Sequence, residues 1–336
     1  MIRTIAFINP SLSTSNVGDL FIDDSVKRIL LFDRENSVHI DPRKPITQRE
    51  IDLINSRDAA VIAGTNLWYR SIRKEGRWMF TREDLKQIRV PIIPLGVGTT
   101  RHTGEDNGFD ADTLAQLKLI HASCPAASAR DLRTQECLAQ AGITNVAMTG
   151  CPTLYRGLRP QWTLNRKTSR RVVVTVRKGA AANVHNLDRM LRDRGYETVA
   201  AAQMPKDNFV RRGIPLFRRP MQAIYEFDIQ PYLQLVEECV GAIGWRLHGN
   251  MLHLAHGNPA VFFANCSRAQ SFCEHFQLPC VANEDGVRLS PETLTDMIDT
   301  FFDAGAYNKF APIYAATRKV MAGFLDANGL GHNLKM

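Results

Sequence analysis

The sequence has no CxxC pair and no low-complexity segment, and its seven cysteines are scattered along the chain. This argues against both a disulfide framework and a zinc site, so we expect reduced, mostly buried thiols in a cytoplasmic protein. No uninterrupted apolar run reaches the length of about 18 residues that a transmembrane helix needs, so no such helix is expected. The apolar N-terminal run ends at Pro10 and predicts a first strand, not a signal peptide.

The two common nucleotide-binding glycine motifs are also missing. The turn Ser15–Asp19, after the first predicted strand, has neither the spaced glycines of a dinucleotide fingerprint nor the Gly-Lys-Ser/Thr of a P-loop. No cofactor is therefore predicted. Gly18 allows a close backbone approach, and Asn16 or Asp19 can cap a helix that starts near Leu20. Such a turn suits a phosphate or a sugar.

The chain has an excess of positive charge: 42 Lys and Arg against 34 Asp and Glu give a formal net charge of +8. Arginine outnumbers lysine, and its rigid fork of donors suits carboxylate and phosphate. The excess fits nucleic acid, an anionic membrane, a small acidic substrate or a bias in genomic composition. Basic residues are dispersed and no basic stripe with interleaved aromatics is found, so no nucleic-acid partner is predicted.

Short apolar runs alternate with stretches of helical periodicity along most of the chain. The predicted strands are Thr4–Asn9, Ser37–Asp41, Ala59–Ala63, Pro91–Gly96, Ala126–Ala129, Val146–Thr149, Val172–Val176, Glu197–Ala202, Gly241–Gly244 and Ala260–Ala264. The predicted helices of the second half are Asn183–Arg194, Tyr232–Cys239, Gly249–His256, Ser267–Phe276, Pro291–Phe302 and Pro312–Leu325. Strands separated by helices imply βαβ units and parallel sheets with covered faces.

The alternation breaks at Tyr155–Arg170, a polar and basic stretch without a sustained period. We place a domain boundary there, between an N-terminal domain at 1–158 and a C-terminal domain at 170–306, followed by a helix within 307–336. The predicted fold class is α/β with two doubly wound, Rossmann-like domains and a cleft between them. Ligands of such sheets bind beyond the carboxyl ends of the strands.

The strongest chemical signal lies in the segment Gly241–Phe263. A short apolar strand ends at Trp245, Arg246 and His248 follow it, and Gly249 permits the turn into a helix. Two basic side chains and the free N–H groups of a helix N-terminus suit an anion. The alternative is that the arginine packs on the surface and the histidine is a satisfied interior residue. The histidines at 248, 253 and 256 lack the i, i+4 spacing of zinc helices, so no metal ion is predicted.

Further strand ends carry weaker signals. Arg130 lies between a strand and a helix, where it is either a second anion contact or the partner of a neighbouring carboxylate, and Asp131 is expected to be the helix N-cap. Arg177 follows the strand Val172–Val176 and serves either a ligand or the sheet edge. The remaining signals are the turns at 63–66 and 96–98 and the polar loop Arg101–Asn107.

Taken in order, these segments resemble the polysaccharide pyruvyl transferase family. The matching pieces are NVGD at 16–19, AGT at 63–65, GVG at 96–98, SARD at 128–131, GCPTL at 150–154 and RLHG at 246–249 with AHGNPAVFF at 255–263. Two positions depart from the family pattern. In the family a lysine usually follows the strand that comes after Gly-x-Pro, and here the nearest basic residue is Arg268. An aspartate is common before the proline of the GCPTL segment, and here Cys151, expected to be buried, takes that place.

The resemblance implies a GT-B-like arrangement, with the acceptor on the N-terminal domain and the donor on the C-terminal domain. It also implies that the last helix returns to the N-terminal domain. It implies transfer of pyruvate from phosphoenolpyruvate to sugar hydroxyls, forming a ketal, in the biosynthesis of a polysaccharide such as an exopolysaccharide. The acceptor is a saccharide or a lipid-linked saccharide, and the second would bring a peripheral contact with a membrane. The acceptor's identity and the oligomeric state are left open.

We hypothesise that His248 is the general acid and that Arg246 and Arg130 hold the donor and stabilise the departing phosphate, with Arg246 counted among the catalytic residues. The substrate-binding residues expected with them are Arg130, Arg177, Arg268, Gly249, Asn250, Asn16, Gly18, Asp19, Gly64 and Thr65. The main alternative is a nucleotide-sugar glycosyltransferase of the same architecture, in which Glu226 or Asp228 would have to hold the ribose. A non-enzymatic anion-binding protein is the third candidate.

Overall fold

The computed structural model describes residues 2–99, 108–208, 221–283 and 286–334. The polar loop noted at Arg101–Asn107 lies outside these ranges. The chain divides into two compact units, each of which combines separate stretches of sequence. Unit 1 contains residues 1–14, 22–160 and 316–336, and unit 2 contains residues 15–21 and 161–315.

Unit 1 is built on short parallel strands. They are β1 (Ile5–Ile8), β2 (Val38–Ile40), β3 (Ala59–Ala63), β4 (Asn66–Trp68), β5 (Ile92–Leu95), β6 (Gly98–Thr99), β7 (Ala127–Ala129) and β8 (Val146–Met148). Four of them form a sheet in the order β2-β1-β3-β5, while β4 pairs with β6 and β7 pairs with β8. Strands β1, β3 and β5 are buried throughout, as expected for a parallel sheet covered on both faces.

Five helices connect these strands. They are α1 (Val17–Ile29), α2 (Gln48–Asn55), α3 (Arg82–Gln87), α4 (Ala111–Ala122) and α5 (Leu132–Gln140). Helices α2 and α3 both begin with a capping box, in which the hydroxyl of Thr47 or Thr81 accepts a backbone N–H and an acidic side chain three residues later accepts the N–H of the cap. The end of the chain also belongs to unit 1, where Leu330 forms a bridge with Ile2.

His121, in the last turn of α4, is a buried histidine with neither ring nitrogen hydrogen-bonded within the described part of the chain. Burial lowers its pKa from 6.5 to about 4, so the folded protein holds the ring neutral. The unfolded chain takes up a proton near the ordinary pKa, so stability is lost as the pH falls from about 6.5 toward 4.

We expect this histidine to remove roughly 2–3 kcal/mol of stability between pH 7 and pH 4.5. In the variant His121→Leu that part of the acid sensitivity should disappear, which urea unfolding at the two pH values measures. Equal losses of stability in the variant and in the wild type would show that His121 is not the cause.

Unit 2 contains one six-stranded parallel sheet. Its strands are β9 (Arg171–Val176), β10 (Glu197–Ala202), β11 (Gln222–Ile224), β12 (Ala242–Gly244), β13 (Ala260–Ala264) and β14 (Cys280–Ala282). They are arranged as β11-β10-β9-β12-β13-β14. Numbered within the unit, this is the order 3-2-1-4-5-6 of a Rossmann sheet, whose topological switch point lies between β9 and β12.

The helices of unit 2 alternate with these strands. They are α6 (Ala181–Asp193), α7 (Gln230–Glu238), α8 (Leu247–Ala255), α9 (Ser267–Phe276) and α10 (Pro291–Phe302), and α11 (Phe310–Ala327) starts in unit 2 and ends among the residues of unit 1. Among the residues that the structure describes, no helix combines the length and the apolar character needed to span a bilayer.

Alternate residues of β9 face opposite sides of the sheet, so each side has its own core. Val172, Val174 and Val176 belong to one apolar cluster and Val173 to the other. The second cluster includes Val17 and Phe21 of α1. Residues 15–21 therefore belong to unit 2, whereas the predicted boundaries assign them to the N-terminal domain.

Candidate active site

Two arginines follow the two strands that flank the switch point of unit 2. Arg177 comes directly after β9, and Arg246 comes two residues after the end of β12. The carboxyl ends of adjacent parallel strands lie at the same edge of the sheet, and the switch point opens a crevice there for ligands. The chain thus brings the guanidinium groups of Arg177 and Arg246 to the position where a doubly wound sheet binds its ligand.

Arg246 is fixed by contacts with strand β9 and with the turn after β10. Its backbone N–H donates to the Thr175 hydroxyl at 3.1 Å, and its Nε donates to the carbonyl oxygen of Val176 at 3.4 Å. Its Nη2 forms an ion pair with Asp207. The residue also stands at the N-cap position of α8, next to the free N–H groups of that helix.

Asp207 is the residue of this site that the sequence patterns missed. It closes a short 3₁₀ turn, Pro205–Asp207, after β10, and it has no exposed surface. Besides Arg246, it accepts the backbone N–H of Lys178 at 3.2 Å. A carboxylate this deeply buried needs a cation beside it, so Asp207 and Arg246 depend on each other.

Among the residues that the structure describes, the charges at this site leave a positive surplus. Burial lowers the pKa of the Arg246 guanidinium, the carboxylate of Asp207 opposes that shift, and the positive charge of Arg177 adds to it. The buried Nη1 of Arg177 has no hydrogen-bond partner among the described residues. Two guanidinium groups against one carboxylate, beside a helix N-terminus, form an environment that favours an anion.

His248 and the N-terminus of α1 are brought together within unit 2. A Cβ atom at Gly18 would lie 3.0 Å from Nδ1 of His248, so glycine is what lets the ring approach the helix. Asn16 accepts the N–H of Gly18 at 3.1 Å and thereby caps α1. The helix begins at Val17 and not near Leu20, so the alternative cap, Asp19, lies inside the first turn.

Gly249 and Asn250 have roles other than the predicted ones. Helix α8 begins at Leu247, so Gly249 lies within its first turn and does not form the turn before it. Glycine is required there because a Cβ atom would come within 2.8 Å of the Gln203 amide and 2.9 Å of the Thr175 methyl group. Asn250, predicted to contact substrate, has no exposed surface.

The Asn250 side chain ties together three strands of the sheet. Its amide donates to the carbonyl oxygens of Gly244 and Val261, both at 3.0 Å, and accepts from the Thr175 hydroxyl at 2.8 Å. We expect Asn250→Ala to destabilise the protein by roughly 2–4 kcal/mol, since three buried hydrogen bonds are lost and the Thr175 hydroxyl loses its acceptor. Thermal unfolding measures this loss. Exposed Asn308→Ala is the control, and equal melting temperatures for the two variants would contradict this role.

Arg130, Gly64 and Thr65 belong to unit 1. Arg130 is 3% exposed and lies over Gly98, and its Nε is 3.7 Å from the carboxylate of Asp131. The guanidinium is therefore part of a buried ion pair, which is the structural alternative stated above. Asp131 accepts the N–H of Thr134 at 2.8 Å, which confirms it as the N-cap of α5.

Gly64 and Thr65 form a tight turn after β3, with φ angles of +60° and +67°. A β-branched residue with a positive φ is rare and strained, a feature that concentrates at functional sites. Arg268 lies in the first turn of α9, in unit 2, and is half-buried. Its contact with substrate, like that of Gly64 and Thr65, remains a prediction. No cluster of metal-ligating side chains occurs among the residues that the structure describes.

Several solved structures share this fold. The UDP-GlcNAc 2-epimerase of Neisseria meningitidis, bound to UDP-GlcNAc, aligns over 97% of this chain and 100% of its own, with a TM-score of 0.53 and 10% identity. MnaA of S. aureus, solved with UDP, aligns over 97% of this chain and 98% of its own, with a TM-score of 0.53 and 10% identity. A putative UDP-N-acetylglucosamine 2-epimerase of Listeria monocytogenes aligns over 97% and 96%, with a TM-score of 0.53 and 11% identity. The predicted α/β class with two Rossmann-like domains in a GT-B-like fold is confirmed.

No curated protein sequence matches the chain. A profile of the family described as polysaccharide pyruvyl transferase matches residues 16–267. The matched range begins at the α1 cap, ends in the first turn of α9 and contains Arg177, Arg246 and His248. The chain therefore belongs to the polysaccharide pyruvyl transferase family, a family of transferases.

Proposed function

We propose that this protein transfers pyruvate from phosphoenolpyruvate to two hydroxyl groups of a saccharide, forming a ketal and releasing phosphate. One observation carries the proposal: Arg177 and Arg246 flank the switch point of the unit 2 sheet, and among the described residues the buried carboxylate of Asp207 opposes them. Phosphoenolpyruvate carries a phosphate and a carboxylate, and forked guanidinium groups bind both kinds of anion.

In the proposed reaction, His248 donates a proton to the methylene carbon of phosphoenolpyruvate. The adjacent carbon becomes cationic and one sugar hydroxyl attacks it, which gives a tetrahedral adduct that still carries the phosphate. The C–O bond to phosphate then breaks, and a second hydroxyl attacks the same carbon. Of the two hydroxyl protons released, one restores the histidine and the other leaves with phosphate.

Arg246 and Arg177 would stabilise the charge that builds up on the departing phosphate. The site suits this role because Arg246 is oriented before any ligand arrives, by Val176, by Thr175 and by Asp207. Donors that are already aligned need no reorganisation during the reaction, and this makes such electrostatic stabilisation effective.

For the acceptor we propose contacts in unit 1, around the strained turn at Gly64 and Thr65. A saccharide needs hydrogen-bonding groups and close backbone approach, and a glycine next to a threonine provides both. A lipid-linked saccharide and a free one would present the same sugar hydroxyls. In keeping with its composition, we propose that the protein works in the cytoplasm.

A donor screen tests the proposal. Phosphoenolpyruvate, UDP-GlcNAc, inorganic phosphate and pyruvate are each titrated while the melting temperature is recorded, and phosphate release is followed with mixed saccharide acceptors. At 100 times its Kd, phosphoenolpyruvate should stabilise the fold by about 2.7 kcal/mol, and pyruvate much less. Stabilisation by UDP-GlcNAc alone would instead support a nucleotide-sugar enzyme and overturn the pyruvyl transfer.

A further inference from the structure

Two thiols of unit 2 lie in contact, and the proposed mechanism uses neither of them. Cys273 is in the last turn of α9 and Cys280 is the first residue of β14. The chain between them reverses sharply at Gln277, which has a left-handed φ of +50°, and the N–H of Leu278 donates to the carbonyl of Cys273 at 2.9 Å. This reversal returns the chain to the helix, and a hydrogen bond links the two sulfur atoms.

The thiol pair is accessible from a surface cavity. The cavity has a volume of about 680 Å³, and both cysteines line it together with Glu274 and Lys309. Cys280 is partly exposed, whereas Cys273 is 1% exposed. A small reagent would therefore meet Cys280 first and Cys273 second.

The two thiols differ in their readiness to ionise. The hydrogen bond from Cys273 lowers the pKa of Cys280, burial opposes that shift, and the backbone N–H of Ala264 adds to the lowering. Burial raises the pKa of Cys273. Elsewhere in the chain, burial raises the pKa of Cys124 and Cys239 to about 11. Cys280 thus has the character of an attacking thiol, and Cys273 that of the thiol which supports it.

The strand that holds Cys280 is able to adjust. β14 has three residues and lies at the edge of the sheet, where β13 is its partner among the described strands. An S–S bond of about 2.05 Å requires the two sulfurs to move closer than hydrogen-bond contact. An edge strand with one neighbour can make that small shift at lower cost than a central strand.

We propose that Cys273 and Cys280 form a redox-active dithiol site that reacts with low-molecular-weight disulfides. The Cys280 thiolate attacks one sulfur of the reagent and breaks its S–S bond, which gives a mixed disulfide and releases one thiolate. Cys273 then loses its proton to solvent and attacks the Cys280 sulfur, which releases the second thiolate. In sum, the protein dithiol is oxidised by two electrons and the reagent is reduced to two thiols.

Competitive alkylation of the folded, reduced protein tests the first step, with the other cysteines as internal controls. Peptide mass spectrometry after brief iodoacetamide labelling at pH 7 gives a rate for each thiol. Cys280 should react on the order of 100-fold faster than Cys124 and Cys239, because a pKa about two units above the ordinary value leaves about a hundredth of the thiolate. It should also react faster than Cys266, which is partly exposed as well. Labelling of Cys280 no faster than Cys266 would overturn the proposal.

Two substitutions of the supporting thiol separate chemistry from folding. Cys273→Ser keeps a hydrogen-bond donor beside Cys280 and should preserve its fast labelling, whereas Cys273→Ala should slow it. With oxidised glutathione, the wild type should yield the disulfide-linked peptide of Cys273 and Cys280, and Cys273→Ser should stop at the glutathione adduct on Cys280. In Cys280→Ser the buried Cys273 should stay unmodified. A wild type that also stops at the adduct, or that is not modified, would contradict the dithiol site.

Discussion

Replacement of His248 by alanine is expected to lower pyruvyl transfer by ~10²–10⁴-fold, the usual contribution of a general acid, and to leave the fold intact. The side chain is half-buried at the start of α8, and its Nδ1 lies against the glycine at position 18. Its removal takes away the proposed proton donor without leaving a buried charge. Phosphate release from phosphoenolpyruvate in the presence of an acceptor measures the effect, and the melting temperature monitors the fold.

His256 offers a matched control at the other end of the same helix, where it occupies the C-cap position. His256→Ala should retain turnover within a few fold of the wild type. A reaction in heavy water adds a second test, since the methyl group of the ketal should then contain one deuterium delivered by an exchangeable acid. Turnover by His248→Ala that equals that of His256→Ala would remove His248 from the mechanism.

Arg246→Ala is expected to have two separable effects. The loss of the guanidinium leaves Asp207 buried and unpaired, which should cost about 3–5 kcal/mol of stability. It also removes one of the two anion contacts, so the affinity for phosphoenolpyruvate should fall by at least tenfold, about 1.4 kcal/mol. Urea unfolding and calorimetric titration measure the two effects independently.

The double variant Arg246→Ala/Asp207→Asn tests whether these effects have different origins. A neutral amide at position 207 removes the buried charge, so most of the lost stability should return, whereas the affinity for phosphoenolpyruvate should stay low. Arg246→Lys keeps the positive charge without the fork and should give an intermediate affinity. If stability and affinity both recover in the double variant, Arg246 would have a structural role alone.

Sequence reasoning found the buried strands because their apolar runs are unbroken. Strands β3, β10 and β13 have the predicted bounds, and the other long runs differ by one or two residues at their ends. The strands it missed, β4, β6, β11 and β14, have two or three residues, too few to show a period. Their positions depend on neighbours that are distant in sequence.

Two helices of unit 1 were also missed, although α2 and α3 each begin with a capping box that the sequence contains. The helices have eight and six residues, shorter than the window over which apolar periodicity becomes visible. Their start signals, Thr47 with Glu50 and Thr81 with Asp84, were the available evidence.

In the candidate site, too, some residues can be recognised from the neighbouring sequence, whereas others can be recognised only from the folded structure. Arg246, His248 and Arg177 were found because each follows a predicted strand, and position at a strand end is readable from local sequence. Asp207 was missed although it comes five residues after β10, because a carboxylate in a loop is ordinary until its burial is known. If every polar residue that follows a predicted strand had been taken as a candidate, Asp207 would have been included.

The role of Arg130 shows what local sequence leaves undecided. A strand-end arginine is equally compatible with a ligand contact and with an ion pair. The structure shows Arg130 at 3% exposure beside the Asp131 carboxylate, and its contact with substrate remains a prediction. Among the described residues of unit 2, Arg177 is the arginine whose charge acts on Arg246. The groove predicted between the domains remains a prediction.

A crystal structure of the protein with bound phosphoenolpyruvate would test the anion site most directly. Its phosphate or carboxylate oxygens should lie within about 3 Å of the guanidinium nitrogens of both Arg177 and Arg246. The ring of His248 should approach the methylene carbon to about 3–3.5 Å, the distance of a reactive arrangement. Phosphoenolpyruvate bound away from these two arginines, or with its methylene group turned away from His248, would contradict the proposed function.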